Sequence, residues 1–162
     1  MAWIVATAAG CVVMPTGAYY RPSYPGAKPY SIMCGREGSF GATDSIRIPA
    51  LAGVTVTVRT DSNPARAERP RLLAIRVHNP RGARIVPAPE PVMLENGGRS
   101  VRLDPSYTGP DGAWAIERDL DGVSGDFALR IPAMTIDGRV FAPEPIRFEL
   151  RRRDWAIYPF NC

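Results

Sequence analysis

The sequence of 162 residues has a single histidine, three cysteines and no apolar run long enough to cross a membrane as a helix, which takes about 20 residues. One histidine excludes metal sites built on several histidines, and the sequence has no Cys-x-x-Cys pair of the zinc or redox type. The Gly-x-Ser-x-Gly turn of many hydrolases is also missing. These absences remove the most familiar signs of an enzyme.

The composition is that of a folded chain, with 45% apolar and 22% charged residues. A chain of this length can form one domain with a substantial core. Its 17 prolines and 15 glycines argue against a helical bundle. Nineteen of the twenty basic residues are arginines, scattered singly along most of the chain. Because they form no basic stripe, we predict no nucleic-acid partner.

From residue 34 onward, apolar and polar side chains alternate with a period of two, most clearly over 54–59, 73–78, 126–131 and 146–151. Alternation of this kind is typical of strands with one buried and one solvated face. Asp137-Gly138 predicts a two-residue hairpin turn, and prolines fall at the ends of the alternating segments. The sequence therefore predicts an all-β fold over 34–162, an antiparallel two-sheet sandwich of the immunoglobulin-like type.

The first thirteen residues carry no charge and end in small residues around Cys11. The stretch Ala8-Ala9-Gly10-Cys11 resembles the lipobox of bacterial lipoproteins. The resemblance implies that residues 1–11 are a signal segment, shortened if translation starts upstream, and that Cys11 carries the lipid. Val12 after the cysteine, in place of aspartate, implies sorting to the outer membrane. The alternative is a buried N-terminal strand with a free thiol.

Lipidation of Cys11 would leave two cysteines, Cys34 at the start of the predicted domain and Cys162 at its end. We expect them to form a disulfide. Closing so long a loop stabilises the fold by about 5 kcal/mol in the chain-entropy model.

Residues 12–33 are rich in proline and glycine and predict an extended, semi-rigid tether between the lipid and the domain. Tyrosines interrupt this segment, among them Tyr19 and Tyr20. They either pack back on the domain or form a docking segment for a partner, since tyrosine is enriched at interfaces.

Two charged clusters are candidate sites. Asp119, Asp121 and Asp126 surround glycines in one loop and either hold calcium or form a turn. The basic run of Arg151, Arg152 and Arg153, followed by Trp155, faces an anionic surface or is a solvated strand end.

The sequence as a whole predicts a protein of the bacterial cell envelope, anchored by its lipid to the outer membrane and facing the periplasm or the cell surface. We expect a binding or assembly-accessory role with an envelope protein as partner, without catalysis and without a cofactor. One alternative is a metal-assisted envelope enzyme or calcium-binding domain that uses the Asp119–Asp126 loop. Another is an intracellular β-sandwich with free thiols and no lipid.

Overall fold

The computed structural model describes residues 11–14, 18–33, 36–38, 42–60, 72–87, 90–110, 112–152 and 156–159. All regular elements within these ranges are β-strands, and every pairing between them is antiparallel. No helix that could span a membrane occurs in this part of the chain. The prediction of an all-β, antiparallel fold is confirmed.

The strands are, in chain order, β1 (Cys11–Met14), β2 (Ala18–Ser23), β3 (Pro29–Met33), β4 (Arg36–Gly38), β5 (Ser45–Pro49), β6 (Thr55–Thr60), β7 (Leu72–His78), β8 (Ile85–Pro87), β9 (Val92–Asn96), β10 (Arg99–Leu103), β11 (Tyr107–Thr108), β12 (Trp114–Asp119), β13 (Phe127–Arg130), β14 (Met134–Ile136), β15 (Arg139–Phe141), β16 (Ile146–Arg152) and β17 (Ala156–Pro159).

These strands form two large sheets and two small ones. The larger has the order β11-β12-β7-β6-β5-β3-β4, and the second has the order β10-β9-β13-β16-β2. A three-stranded sheet, β15-β14-β8, adjoins them, and β1 pairs with β17 in a two-stranded ribbon. The predicted turn is present between β14 and β15, where Asp137 and Gly138 both have positive φ, as a type I′ turn requires.

One continuous core takes side chains from both large sheets. Ile75 of the seven-stranded sheet and Leu129 of the five-stranded sheet are fully buried members of the same cluster. Phe127 and Phe148 stack with their ring centroids 4.5 Å apart, and Tyr20 meets Phe127 edge-on at 4.8 Å. Aromatic pairs in these geometries stabilise by more than their buried area alone. The arrangement is compatible with the predicted sandwich.

The tether predicted over 12–33 is wrong for the strands that the structure describes within it, which cover residues 12–14, 18–23 and 29–33. Strand β2 pairs with β16 along its whole length, and Tyr20 and Pro22 on its inner face are buried. Proline is tolerated there because β2 ends its sheet, where a missing N–H removes no ladder bond. The folded body therefore starts well before residue 34.

The two ends of the chain share one register. In the β2–β16 ladder and in the β1–β17 ladder, the numbers of paired residues add up to 170, for example 18 with 152 and 14 with 156. Three residues separate the two ladders on each strand. The same sum therefore holds at the far end of each ladder, where Ser23 pairs with Arg147 and Cys11 with Pro159.

Candidate binding pocket

An apolar pocket lies where the two large sheets and the three-stranded sheet meet. It encloses about 90 Å³. Its lining comprises Pro87, Glu90, Pro91, Val92, Pro105, Thr108, Trp114, Pro132, Ala133 and Met134. Small-molecule and side-chain sites are typically concave and mostly apolar, with a few polar groups that orient the ligand.

Four prolines form much of the wall, each beside the end of a strand. Pro87 ends β8, Pro91 precedes β9, Pro105 follows β10 and Pro132 follows β13. A proline ring adds apolar surface and brings no backbone N–H. The wall is therefore apolar without leaving unpaired donors behind it.

The floor is made by two buried side chains from different sheets. Trp114 opens β12, where it pairs with Thr108, and is 6% exposed. Met134 opens β14, where it pairs with Pro87, and is 2% exposed. Trp114 thus belongs to the buried core cluster and also lines the pocket.

A tight turn before Trp114 fixes this floor against strand β8. The N–H of Gly109 donates to the carbonyl of Ala113 at 2.6 Å, and the N–H of Gly112 donates to the carbonyl of Gly109 at 3.1 Å. Gly112 has φ +77°, and a Cβ added there would lie 2.7 Å from the carbonyl oxygen of Ile85. Glycine is needed at this position both for its conformation and for the close approach.

The charge of the pocket is concentrated at its rim. Glu90 is the one charged lining residue, is exposed, and makes no ion pair in the described part of the chain. Thr108 is also exposed and adds a hydroxyl. The pocket thus combines an apolar floor with one carboxylate, which suits an apolar group that has a cation beside it.

Tyr19 and Tyr20 do not form an exposed docking segment, contrary to one of the two predictions for them. They are 4% and 3% exposed. The hydroxyl of Tyr20 lies 3.4 Å from the carbonyl of Val123, to which it donates, and its ring packs on Phe127. Both side chains are part of the folded body, so neither is available to a partner.

The acidic loop forms a turn between β12 and β13. Oδ1 of Asp119 accepts the N–H of Asp121 at 3.0 Å, and Oδ1 of Asp126 accepts the N–H of Leu150 at 2.9 Å. The amide of Asn96 donates to the carbonyls of Ser124 and Asp126. Among the described residues no three His, Cys, Asp or Glu side chains are grouped to hold a metal.

The remaining predicted sites are only partly described. Arg151 is exposed and bonds Glu149 at 2.7 Å, while Arg152 ends β16. The other members of the basic run and both cysteines of the predicted disulfide lie outside the described residues, namely Arg153, Trp155, Cys34 and Cys162. The backbone of Cys11 opens β1.

Comparison with models of known protein families, with curated proteins and with solved structures finds no match to this chain. The pocket itself was missed by sequence reasoning, which interpreted the prolines only as strand ends. That interpretation holds for the four prolines that line the pocket. The usable signal was that prolines at several strand ends could meet in one place once the sheets packed.

Proposed function

We propose that this chain is a lipid-anchored protein of the bacterial cell envelope, attached to the outer membrane through Cys11 and facing the periplasm or the cell surface. Its role is to bind an envelope protein or to assist an assembly, without catalysing a reaction. Its body is a two-sheet sandwich of the immunoglobulin-like type, closed by a Cys34–Cys162 disulfide. The lipobox-like stretch Ala8-Ala9-Gly10-Cys11 supports the proposed lipid anchor and the localisation to the cell envelope.

The proline-lined pocket is the observation that carries the binding role. Its lining is apolar apart from Glu90 and Thr108. An apolar recess with one carboxylate at its rim suits a partner's apolar side chain with a neighbouring lysine or arginine.

The strand register supports a pocket that points away from the anchor. Arg130 pairs with Met93 and Leu129 with Ile146, so the pocket end of the five-stranded sheet is the Ile146 end of β16. The ladder toward Cys11 leaves from the other end of β16, at Arg152. The six steps between Ile146 and Arg152 span about 20 Å at 3.3 Å per residue.

Lipidation is tested by labelling bacterial cells that express the protein with a radioactive fatty acid. Wild type and Cys34→Ser should carry label and sediment with membranes, whereas Cys11→Ser should lose both. The Cys34→Ser variant controls for the loss of a cysteine as such. Label or membrane association that survives in Cys11→Ser would refute the anchor.

Binding at the pocket is tested with a photo-reactive amino acid placed at Thr108 on the rim. The same amino acid at Val101, which is 46% exposed on the edge strand β10, is the matched control. We expect an adduct from Thr108 alone, and its loss when Ala133→Trp fills the pocket. The same adducts from both positions, or an adduct indifferent to Ala133→Trp, would contradict the proposed site.

A further inference from the structure

We propose that the outer face of the seven-stranded sheet carries a second binding site, a trough that takes a neutral oligosaccharide. The trough encloses about 430 Å³, within the usual range for ligand sites. The residues that define it are Arg76, His78, Ser106, Tyr107, Ala115 and Glu117. This proposal does not depend on the lipid anchor or on the apolar pocket.

Strand pairing sets the width of the trough. Tyr107 pairs with Ala115, and Ala115 pairs with Arg76, so the three residues form a row across three neighbouring strands. Neighbouring strands lie about 4.8 Å apart, which separates Tyr107 from Arg76 by roughly 10 Å. The methyl group of Ala115 between them leaves the space above the sheet open, and Ala113 adds a second small lining residue.

The two walls differ in chemistry in a way that suits a sugar ring. Tyr107 is 59% exposed, so its ring offers an apolar face to solvent. Such a face can pack against the C–H side of a pyranose ring, while the phenol oxygen remains hydrated. On the other wall, Nη2 of Arg76 and Oε1 of Glu117 lie 2.9 Å apart. Their remaining donors and acceptors can bind hydroxyl groups, and His78 adds an imidazole.

The charge of the trough favours an uncharged ligand. The charges of Arg76 and Glu117 compensate each other within their ion pair. A phosphate-bearing ligand needs unpaired cations to replace its counterions, and a single-stranded nucleic acid needs a basic groove beside its stacking platform. A neutral polyhydroxyl ligand needs only the aromatic face and the paired polar groups.

The test is calorimetric titration of the full-length protein in detergent with two probes, chitotetraose in its N-acetylated form and cellotetraose. We expect at least one probe to bind with a Kd of about 1 mM or tighter. Tyr107→Ala should weaken binding at least about tenfold, Tyr107→Phe should preserve it, and Glu117→Gln should weaken it. Val101→Ala, at an exposed apolar position on the other large sheet, should bind as wild type does.

Several results would overturn the proposal. No heat from either probe would refute a neutral oligosaccharide as the ligand. Unchanged binding in both Tyr107→Ala and Glu117→Gln would refute the trough as its site. Tighter binding of a single-stranded oligothymidine than of both sugars would replace it with a nucleic-acid surface. Urea midpoints of all variants identify any loss that comes from unfolding, and Glu117→Gln keeps the proposal testable if Tyr107→Ala is destabilised.

Discussion

Replacing Gly112 by alanine should destabilise the protein because this residue holds the pocket floor against β8. Two separate penalties apply. The backbone has φ +77°, a left-handed conformation that costs a residue with a Cβ about 1–2 kcal/mol. The new Cβ would also lie 2.7 Å from the carbonyl oxygen and 2.8 Å from the Cβ of Ile85. Overlap of this kind in a packed region costs typically about 1–3 kcal/mol.

Gly98 provides a matched control for the first penalty. It has φ +78°, and a Cβ added there would meet nothing within 4 Å. Gly98→Ala should therefore lower the free energy of unfolding only by the cost of the left-handed backbone conformation. Because the two φ values are nearly equal, the difference in unfolding free energy between the variants isolates the overlap with Ile85, and we expect about 1–3 kcal/mol.

Urea denaturation followed by tryptophan fluorescence measures this difference. The midpoints of both variants should fall below that of wild type, Gly112→Ala by more, with unchanged m-values. For a chain of this size, each kcal/mol also lowers Tm by about 2–4 °C. Equal midpoints for the two variants would mean that the turn before Trp114 does not press on β8, and the account of the pocket floor would fail.

Three further changes test the core, one turn and one ionisable group. Phe148→Ala removes the ring stacked 4.5 Å from Phe127 and should lower the unfolding free energy by about 3–5 kcal/mol; a loss below about 1 kcal/mol in urea would contradict this packing. Asn79→Ala removes a side chain that bonds both the N–H and the carbonyl of Ala83, and should lose about 1–3 kcal/mol by the same assay. Burial raises the pKa of Tyr30 above 10.0, so the stability that Tyr30 contributes should be constant below pH 10.0 and be lost as pH rises through the raised value. Urea midpoints on both sides of pH 10.0 should show a shallower fall for Tyr30→Phe; equal slopes would contradict it.

Strands with one buried face could be predicted from the sequence because burial imposes a period of two. In β6, the fully buried Val56 and Val58 alternate with half-buried residues, as the segment 54–59 predicts. The same holds for β7 and for the part of β16 whose side chains are described. The information is local, since each residue's own neighbours along the chain decide which face it occupies.

The strands within the predicted tether could not be predicted because the pairing that forms them is not local in the sequence. Pro22, Pro25 and Pro29 favour polyproline II, whose backbone angles border those of a β-strand. What turns β2 into a sheet strand is its pairing with β16, more than a hundred residues away, as between Ser23 and Arg147. A pattern within residues 18–23 does not contain that partner.

The candidate sites could not be assembled from the sequence for a related reason. Asp126 accepts the N–H of Leu150 on a strand that sequence spacing could not place beside it. The trough similarly depends on Tyr107 lying one strand from Ala115 and two from Arg76, which is a matter of strand order. Sequence reasoning identified residue types able to act at a site, while the register decided which of them meet.

The pairing of the first strands with the last ones connects the proposed anchor to the proposed pocket. Among the described residues β2 is the edge strand of its sheet and pairs with β16, so β2 has no sheet partner until almost the whole chain is present. Pairing between such distant segments forms slowly, and an unpaired strand edge promotes aggregation. On the proposal that Cys11 carries the lipid, attachment at the N-terminus would hold β1 and β2 at the membrane while the rest of the body forms. The completed ladder would then link anchor and body by backbone hydrogen bonds, so the sheet itself would direct the pocket away from the membrane.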